Sequence, residues 1–345
     1  ELGLELVKED GLIGFIVPNT WMYLFSTEPL REKILSECGI VSIVELTKNI
    51  FADAPDIVPV IVILKKSVSN KSKNKNIIKT TSFSDKTSLS YGLFSNIEYK
   101  KIEQKHLDTN MSKIFNLNLT SETKKLLDKI RANSKELSEL VKINYGIKTG
   151  NNEKYVLNSK LNTNFKKCLK TKEIGRYWID WKHLWLDYGH HLAGYRKDSL
   201  EVPKIIVQYI RKLSLKRRLI CAFDETGDYY PLNNYSYITG KEKVLKCILG
   251  IINSKLMNFY FANTFIDYNI KPTYLNKLPI KIKLEGEEHT ELISLVSKIL
   301  LLNRRLVELK DKKQPGAPLW RRPRPCWARA PRHCETHDAA LANPR

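Results

Sequence analysis

The heptapeptide Gly146-Ile147-Lys148-Thr149-Gly150-Asn151-Asn152 sets two glycines and two asparagines around one cation. Glycine permits the tight turn and asparagine bonds its own main chain, so such a loop presents amides and side-chain groups to a partner. Lys148 suits a phosphate, Thr149 adds a hydroxyl, and the Asn151 amide matches the edge of an adenine. A plain turn between two strands uses the same residue types. Arg211 and Lys212, with Lys216, Arg217 and Arg218, place five cations within eight positions, close to Tyr209. Such a cluster positions a protein on a phosphate backbone without reading bases, or else forms a solvated face. Val17-Pro18-Asn19-Thr20-Trp21, with Arg31 following, is a strand exit. Asn19 and Thr20 offer polar groups there, while Trp21 suits the core.

Other chemistry is missing. The sequence has no P-loop, HExxH or GxSxG motif. Neither Gly11 and Gly14 nor the Gly146/Gly150 pair lies between a first strand and a helix with an acid downstream, as a dinucleotide loop requires. Pro55-Asp56 lacks the partners of a metal-dependent nuclease. His183, His190 and His191 sit among aromatics with no evident nucleophile, and Asp180 and Asp187 are polar neighbours rather than members of a triad. Cys326, His333, Cys334 and His337 match no paired-ligand zinc spacing.

These residues need elements to hold them. Gly11–Val17 is a buried-strand run ended by Pro18. Thr27-Glu28-Pro29 opens a helix, with threonine as N-cap and proline in the first turn. Leu30, Ile34 and Leu35 give that helix a face, and Gly39 is expected to stop it. Ile40–Leu46 and Ile57–Leu64 are two further strands, with Pro59 near the start of the second. Lys65–Thr80 holds six lysines and no acid, the pattern of a solvated linker. Glu122–Asn133 has helical spacing through Leu126, Leu127 and Ile130. Beyond 139, tyrosines and tryptophans recur between Gly and Asn/Asp turn signals. Val202–Ile210 suits a strand and Asp224–Gly227 a turn. Lys241–Phe261 and Glu291–Leu309 return to helical spacing.

The formal charge is +21, an argument for a polyanionic partner such as nucleic acid or for a basic, lysine-rich background. From Pro315 the chain changes character: lysine disappears and six arginines stand against two acids, so that segment carries +4 and the rest +17. It has no apolar period and suits a disordered, foreign or frame-shifted tail. Six scattered cysteines have no disulfide framework, which fits free thiols in the cytoplasm. No apolar run reaches membrane-span length and nothing at Glu1 resembles a signal peptide, so no membrane is expected.

Lys142–Asn152 (KINYGIKTGNN), Ile252–Phe261 (INSKLMNFYF) and Leu275–Ile280 (LNKLPI), in that order, resemble the C-terminal recognition domain of the TaqI-like and Type IIG DNA adenine methyltransferases. The resemblance covers residues 1 to about 310 and is carried by the order of the motifs. It implies an α/β fold: the C-terminal fragment of a class I (Rossmann-like) methyltransferase sheet, its last two strands a hairpin at the sheet edge. A mixed α/β target-recognition domain and a closing helix follow. The expected divisions are 1–67 for the methyltransferase portion, 68–138 for a basic linker and connecting helix, 139–285 for recognition, 286–313 for the closing helix, and 314–345 for the tail.

By the same resemblance Phe51, in Asn49-Ile50-Phe51-Ala52 between two strands, stacks on an adenine extruded from the duplex. Asn253-Ser254-Lys255 and Leu278-Pro279-Ile280 are structural, Asn253 and Ser254 bonding locally to backbone. The implied partner is double-stranded DNA. The implied cofactor of the full-length relative is S-adenosylmethionine, none being expected to bind this chain alone, because the glycine-rich turn and Asn-Pro-Pro-Tyr/Phe loop do not occur. The resemblance therefore implies an inactive lone chain that depends on an N-terminal methyltransferase or nuclease half. Residues 1–67 are then expected to be poorly stable or aggregation-prone by themselves. Two readings stand beside it: a non-catalytic protein-interaction or regulatory module, and a product with no function.

Overall fold

A computed structural model describes residues 1–66, 75–83, 97–196, 200–282 and 286–313. The tail and its Cys/His cluster, and residues 67–74 of the lysine-rich stretch, lie outside the described residues.

The first sheet is mixed. It contains β1 (Leu12–Pro18), β2 (Cys38–Glu45), β3 (Pro59–Lys66), β4 (Ile77–Ser82) and β5 (Lys100–Glu103), in the order β1-β3-β2-β4-β5. β3 is antiparallel to both β1 and β2, β2 and β4 are parallel, and β5 is antiparallel to β4. The expected hairpin is thus present, as β2-β3, but not at an edge: β3 lies inside the sheet and β1 forms one border. Residues 77–82 and 100–103, read from sequence as linker, add two strands. Ile78 and Thr80 alternate inward, a strand signal that the surrounding lysines hid. Pro59 is tolerated inside the sheet because it is the first residue of its strand, opposite Pro18.

Short α1 (Leu2–Leu6) precedes β1, and α2 (Glu28–Glu37) joins β1 to β2. Thr27 is the N-cap residue of α2 by position, yet its hydroxyl makes no capping bond. It donates to the carbonyls of Trp21 and Leu24, both at 2.9 Å, and accepts from Arg31. Gly39 does not stop the helix. The chain turns extended at Cys38 and Gly39 lies within β2.

α3 (Gln104–Asp108) and α4 (Ser121–Arg131) lead to the second half. Thr120 caps α4 by accepting the Thr123 N–H, and Leu127 faces the core while Leu126 points outward. There β6 (Lys135–Glu136) and β17 (Pro279–Ile280) pair antiparallel, closing entry and exit upon each other. Between them β7 (Lys142–Tyr145), β13 (Lys204–Gln208), β14 (Cys221–Asp224) and β16 (Tyr235–Thr239) form an antiparallel sheet in the order β14-β13-β16-β7. A second sheet, β15-β9-β12-β8, comprises β8 (Val156–Leu157), β9 (Phe165–Leu169), β12 (Trp185–Asp187) and β15 (Tyr229–Pro231). β10 (Ile174–Gly175) and β11 (Trp178–Ile179) make a small ladder, and α5 (Asn152–Tyr155) follows the glycine loop.

The helical run after 241 is two helices, α6 (Glu242–Ile252) and α7 (Lys255–Thr264), bent by 70°. Ser254 makes the break by accepting the Met257 N–H at 3.0 Å, an N-cap for α7. α8 (Pro272–Asn276) and the long α9 (Glu287–Lys313) complete the chain. One continuous cluster of buried apolar side chains runs from Leu4 through Phe115, Leu137 and Ile248 to Leu300. The two halves therefore share a core. Among the described residues no single helix is long and apolar enough to cross a membrane.

Candidate nucleic-acid interface

β1 delivers Asn19 and Thr20 to the surface through a 3-10 turn over Asn19–Met22. The Asn19 N–H donates to the Val58 carbonyl at 2.9 Å and its Nδ2 to Glu45 Oε1 at 2.8 Å, so the side chain is half-buried and engaged. Thr20 is exposed. Trp21 is core, edge-on to Phe115 at 5.4 Å. Arg31 is wholly buried, donating to the carbonyls of Trp21 at 2.6 Å, Leu24 at 2.8 Å and Ser112 at 2.8 Å. It fastens the turn and leaves no charge at the surface.

The β2-β3 connection is closed by the Asn49 N–H donating to the Pro55 carbonyl at 2.8 Å, with Asn49 left-handed at φ 60°. Phe51 lies in this loop and is 47% exposed, outside the buried clusters. At its base Lys48 lies 5.5 Å over the ring of Tyr268, from the second half. The Tyr268 carbonyl accepts the Arg211 N–H at 3.0 Å, and Arg211 Nη2 donates to the Arg217 carbonyl at 2.8 Å. Tyr209, two residues earlier, stands edge-on to Tyr145 at 6.0 Å, and Tyr145 precedes the glycine loop. A chain of contacts thus joins the Phe51 loop, the basic segment and the 146–152 loop. Lys48 and Tyr268 were not singled out from sequence; nothing in their local pattern distinguishes them from other surface lysines and tyrosines.

The basic segment divides. Arg211 and Arg217 are half-buried, and Lys212 and Lys216 exposed. Arg218 is 1% exposed, so it is not available to a duplex. Its guanidinium donates to the carbonyls of Phe265 and Asp267 and lies 4.9 Å over Phe261. Burial pushes its pKa down to about 10, with Asp267 acting in the opposite direction. It joins the segment between α7 and α8 to the start of β14, a structural task.

In the glycine loop Lys148 is exposed. Thr149, expected to face a partner, is buried, and its Oγ1 donates to Asn152 Oδ1 at 2.7 Å. Asn151 is exposed, but its Oδ1 caps α5 by accepting the Lys154 N–H at 3.0 Å, which leaves the amide nitrogen for any outside contact. The two glycines have steric causes. A Cβ on Gly146 would stand 2.1 Å from the Leu232 carbonyl oxygen, and Gly150 is left-handed at φ 83°.

The joint between the halves is tightly wired. Phe25 meets Tyr274 edge-on at 5.0 Å. Asp267 accepts the Tyr274 hydroxyl at 2.9 Å and pairs with Lys271 at 2.6 Å. Burial, then the charges of Asp267 and Glu45, push the Tyr23 phenol up to about 12. Farther off, Lys204 and Asp224 form a fully buried ion pair at 2.6 Å. Asp224 also accepts the N–H groups of Gly227 and Tyr229, both at 3.0 Å, which holds the turn expected at 224–227. Among the described residues no group of three His, Cys, Asp or Glu side chains could hold a metal ion.

Residues 166–280 match the TaqI-like C-terminal specificity domain, and residues 1–51 match the Eco57I restriction-modification methylase family. No curated protein matches the chain in sequence. Among solved structures, a nuclease-deletion mutant of the Type ISP restriction-modification enzyme LlaGI, in complex with a DNA substrate mimic, superposes with TM-score 0.55 at 11% identity, over 87% of this chain and 36% of that one. The Type IIL restriction-modification enzyme MmeI in complex with DNA gives 0.54 at 11%, over 89% and 43%. The DrdV–DNA complex gives 0.51 at 11%, over 87% and 38%. At such identities the likeness is one of fold, and the chain spans less than half the length of each. Two segments of the chain are therefore similar to restriction–modification proteins, residues 166–280 to the TaqI-like C-terminal specificity domain and residues 1–51 to the Eco57I restriction-modification methylase family.

Proposed function

We propose that this chain is the duplex-reading part of a site-specific DNA adenine methyltransferase of a restriction–modification system. The observation that carries the reading is the Lys48–Tyr268–Arg211 connection. It joins the half-exposed Phe51 ring and the Lys212, Lys216 and Arg217 cations into one surface spanning both halves. Cations hold the phosphate backbone, and an aromatic ring receives a base that has left the stack. The MmeI, LlaGI and DrdV structures, each named as bound to DNA or a DNA mimic, support a duplex as the partner. The reversed strand β3 between β1 and β2 supports the class I methyltransferase reading of the first sheet.

The full-length relative would use S-adenosylmethionine as methyl donor. The residues of this chain do not fit that group. The strand-to-helix turn from β1 to α2 contains no glycine, and its interior is filled by Trp21, Met22 and Arg31. No catalytic step is therefore assigned to this chain, and the donor site belongs to an N-terminal half, fused or separate. β1 is consistent with this: it borders its sheet and leaves Leu12, Phe15 and Ile16 65%, 47% and 56% exposed. Among the described residues the four cysteines are buried free thiols, which suits the cytoplasm.

The test is duplex binding by the purified chain across a salt series. DNA binding weakens linearly in log–log form, with a slope that counts phosphate contacts. A salt-independent contact would favour the alternative, a protein-interaction module built on this scaffold. Incubation with duplex and labelled methyl donor tests the second part, since transfer by the lone chain would refute its dependence on another half.

A further inference from the structure

Helix α9 is apolar on two faces. One packs on its own half: Val296 and Leu300 are buried, and a Cβ on Gly250 of α6 would stand 2.9 Å from Val296 Cγ2. The other lies about 100° round the helix. Leu295, Ile299, Leu302, Leu306 and Leu309 follow one another there at steps of four, three, four and three. Leu295, Leu302, Leu306 and Leu309 are 49%, 56%, 54% and 56% exposed. A helix serving only as a lid on one core would carry polar residues on this second face. The alternating step is that of a coiled-coil seam, whose side chains enter holes on a facing helix.

The flanks of the seam state what the facing helix should be. On one side lies the domain itself. On the other stand Lys298 and Arg305, one heptad apart and exposed, with no acid on that flank between Leu295 and Leu309. In a coiled coil, charges at these flanking positions select the partner. A second copy of this chain would bring the same two cations to that flank, its one acid there, Glu291, lying a heptad before Lys298 and outside the Leu295–Leu309 seam. We propose that α9 is a docking helix for an amphipathic α-helix of another protein, with an apolar heptad seam and an acidic flank. The seam spans about 21 Å, fourteen residue steps of helix, so three heptads of partner cover it.

The test uses the full chain and two fluorescein-labelled synthetic helices of three heptads. Both have leucine at each seam position; one has glutamate at every flanking position and its twin has lysine. The acidic peptide should give a saturable rise in anisotropy, and the lysine twin should bind at least ~10-fold more weakly. That preference should shrink in 1 M salt, where screening acts within about 3 Å. Lys298→Glu with Arg305→Glu should reverse the preference, and Leu302→Glu with Leu306→Glu should abolish binding of the acidic peptide. Since all four side chains are exposed, both variants should keep the parent circular dichroism. Equal binding of the two peptides, binding of neither, or unchanged binding by the seam variant overturns the proposal. So does a dimer in sedimentation that the Leu302/Leu306 variant dissolves, because the seam would then belong to a second copy.

Discussion

Asn253 faces the backbone of Cys221 with both ends of its amide. Oδ1 accepts the Cys221 N–H at 3.1 Å and Nδ2 donates to the Cys221 carbonyl at 3.0 Å. Two residues earlier, Asn258 does likewise with Leu219, its Oδ1 accepting the N–H at 2.8 Å and its Nδ2 donating to the carbonyl at 3.4 Å. β14 borders its sheet, so Cys221 and the residues leading into it have no ladder partner on that side, although the Cys221 carbonyl also accepts the Tyr177 N–H at 2.9 Å. Two side-chain amides from α6 and α7 take its place, which satisfies a buried edge and prevents further pairing there. The local role expected for Asn253 is thus corrected to a long-range one, while Ser254 does bond locally.

Asn253→Ala should consequently destabilise the chain by about 2–3 kcal/mol, since it leaves the buried Cys221 N–H without its partner, the carbonyl keeping the Tyr177 N–H at 2.9 Å. Urea denaturation followed by tryptophan fluorescence measures it. Ser254→Ala removes one cap and should cost about 1 kcal/mol. Equal effects of the two would show that the edge contact carries no special weight.

Arg218 and its neighbours should separate cleanly. Lys216→Ala with Arg217→Ala should leave stability nearly unchanged and lower the log–log salt slope of duplex binding by about 2, one unit for each phosphate contact. Arg218→Ala should act chiefly on folding. It removes a buried cation whose guanidinium holds the carbonyls of Phe265 and Asp267, and about 2–4 kcal/mol should be lost. A stable Arg218→Ala chain with weakened DNA binding would return this residue to the surface role expected from its sequence.

Glu173 supplies a pH dependence. Its carboxyl is buried: Oε2 accepts the Thr171 N–H at 2.7 Å and the Lys170 N–H, while Oε1 has no hydrogen-bond partner among the described residues. Burial pushes the pKa above the ordinary 4.5, with the two N–H bonds opposing the rise. The folded state therefore holds this proton more tightly than the unfolded chain. The resulting stability is present below pH 4.5 and lost as pH climbs through the raised value. Glu173→Gln lacks this loss, so its stability relative to the parent should improve as pH rises from 4.5 toward neutrality. Denaturation at a series of pH values measures it, and a flat difference would mean that Glu173 ionises normally in the fold.

The fold was legible wherever one residue type has one mechanical meaning. Pro18, Pro59 and the run Ile57–Leu64 marked strands because little else fits them, whereas the helix starts at Thr120 and Ser254 were passed over, the second inside a single helical run. It was not legible where packing decided. Thr27 and Gly39 occupy positions typical of a cap and a stop, yet a buried arginine and an adjoining strand gave them other work. The order of β1, β2 and β3 depends on which strand reaches between the others, a choice made by long-range burial. At the candidate site, sequence reasoning found charges and could not tell Arg217 from Arg218. The difference is whether the carbonyls of Phe265 and Asp267 lie beneath, and those come from 47 and 49 residues away.

Phe51 offers the most direct view of the proposed surface. It is 47% exposed and belongs to none of the buried clusters, so Phe51→Ala should change stability by less than about 0.5 kcal/mol. Phe51→Trp keeps an aromatic ring and adds an emitter at this loop. Duplex DNA should quench the added emission, read as a difference from the parent chain, because a ring stacked on a base loses its fluorescence. The quenching should follow the salt dependence of binding and weaken in the Lys216→Ala/Arg217→Ala background, since the Lys48–Tyr268–Arg211 contacts tie the two segments together. Stacking of this kind is worth about 1–3 kcal/mol per base, enough for Phe51→Ala to weaken capture of an unpaired base by roughly 5- to 150-fold. Emission untouched by saturating duplex would remove Phe51 from the interface and leave the cations as its only support.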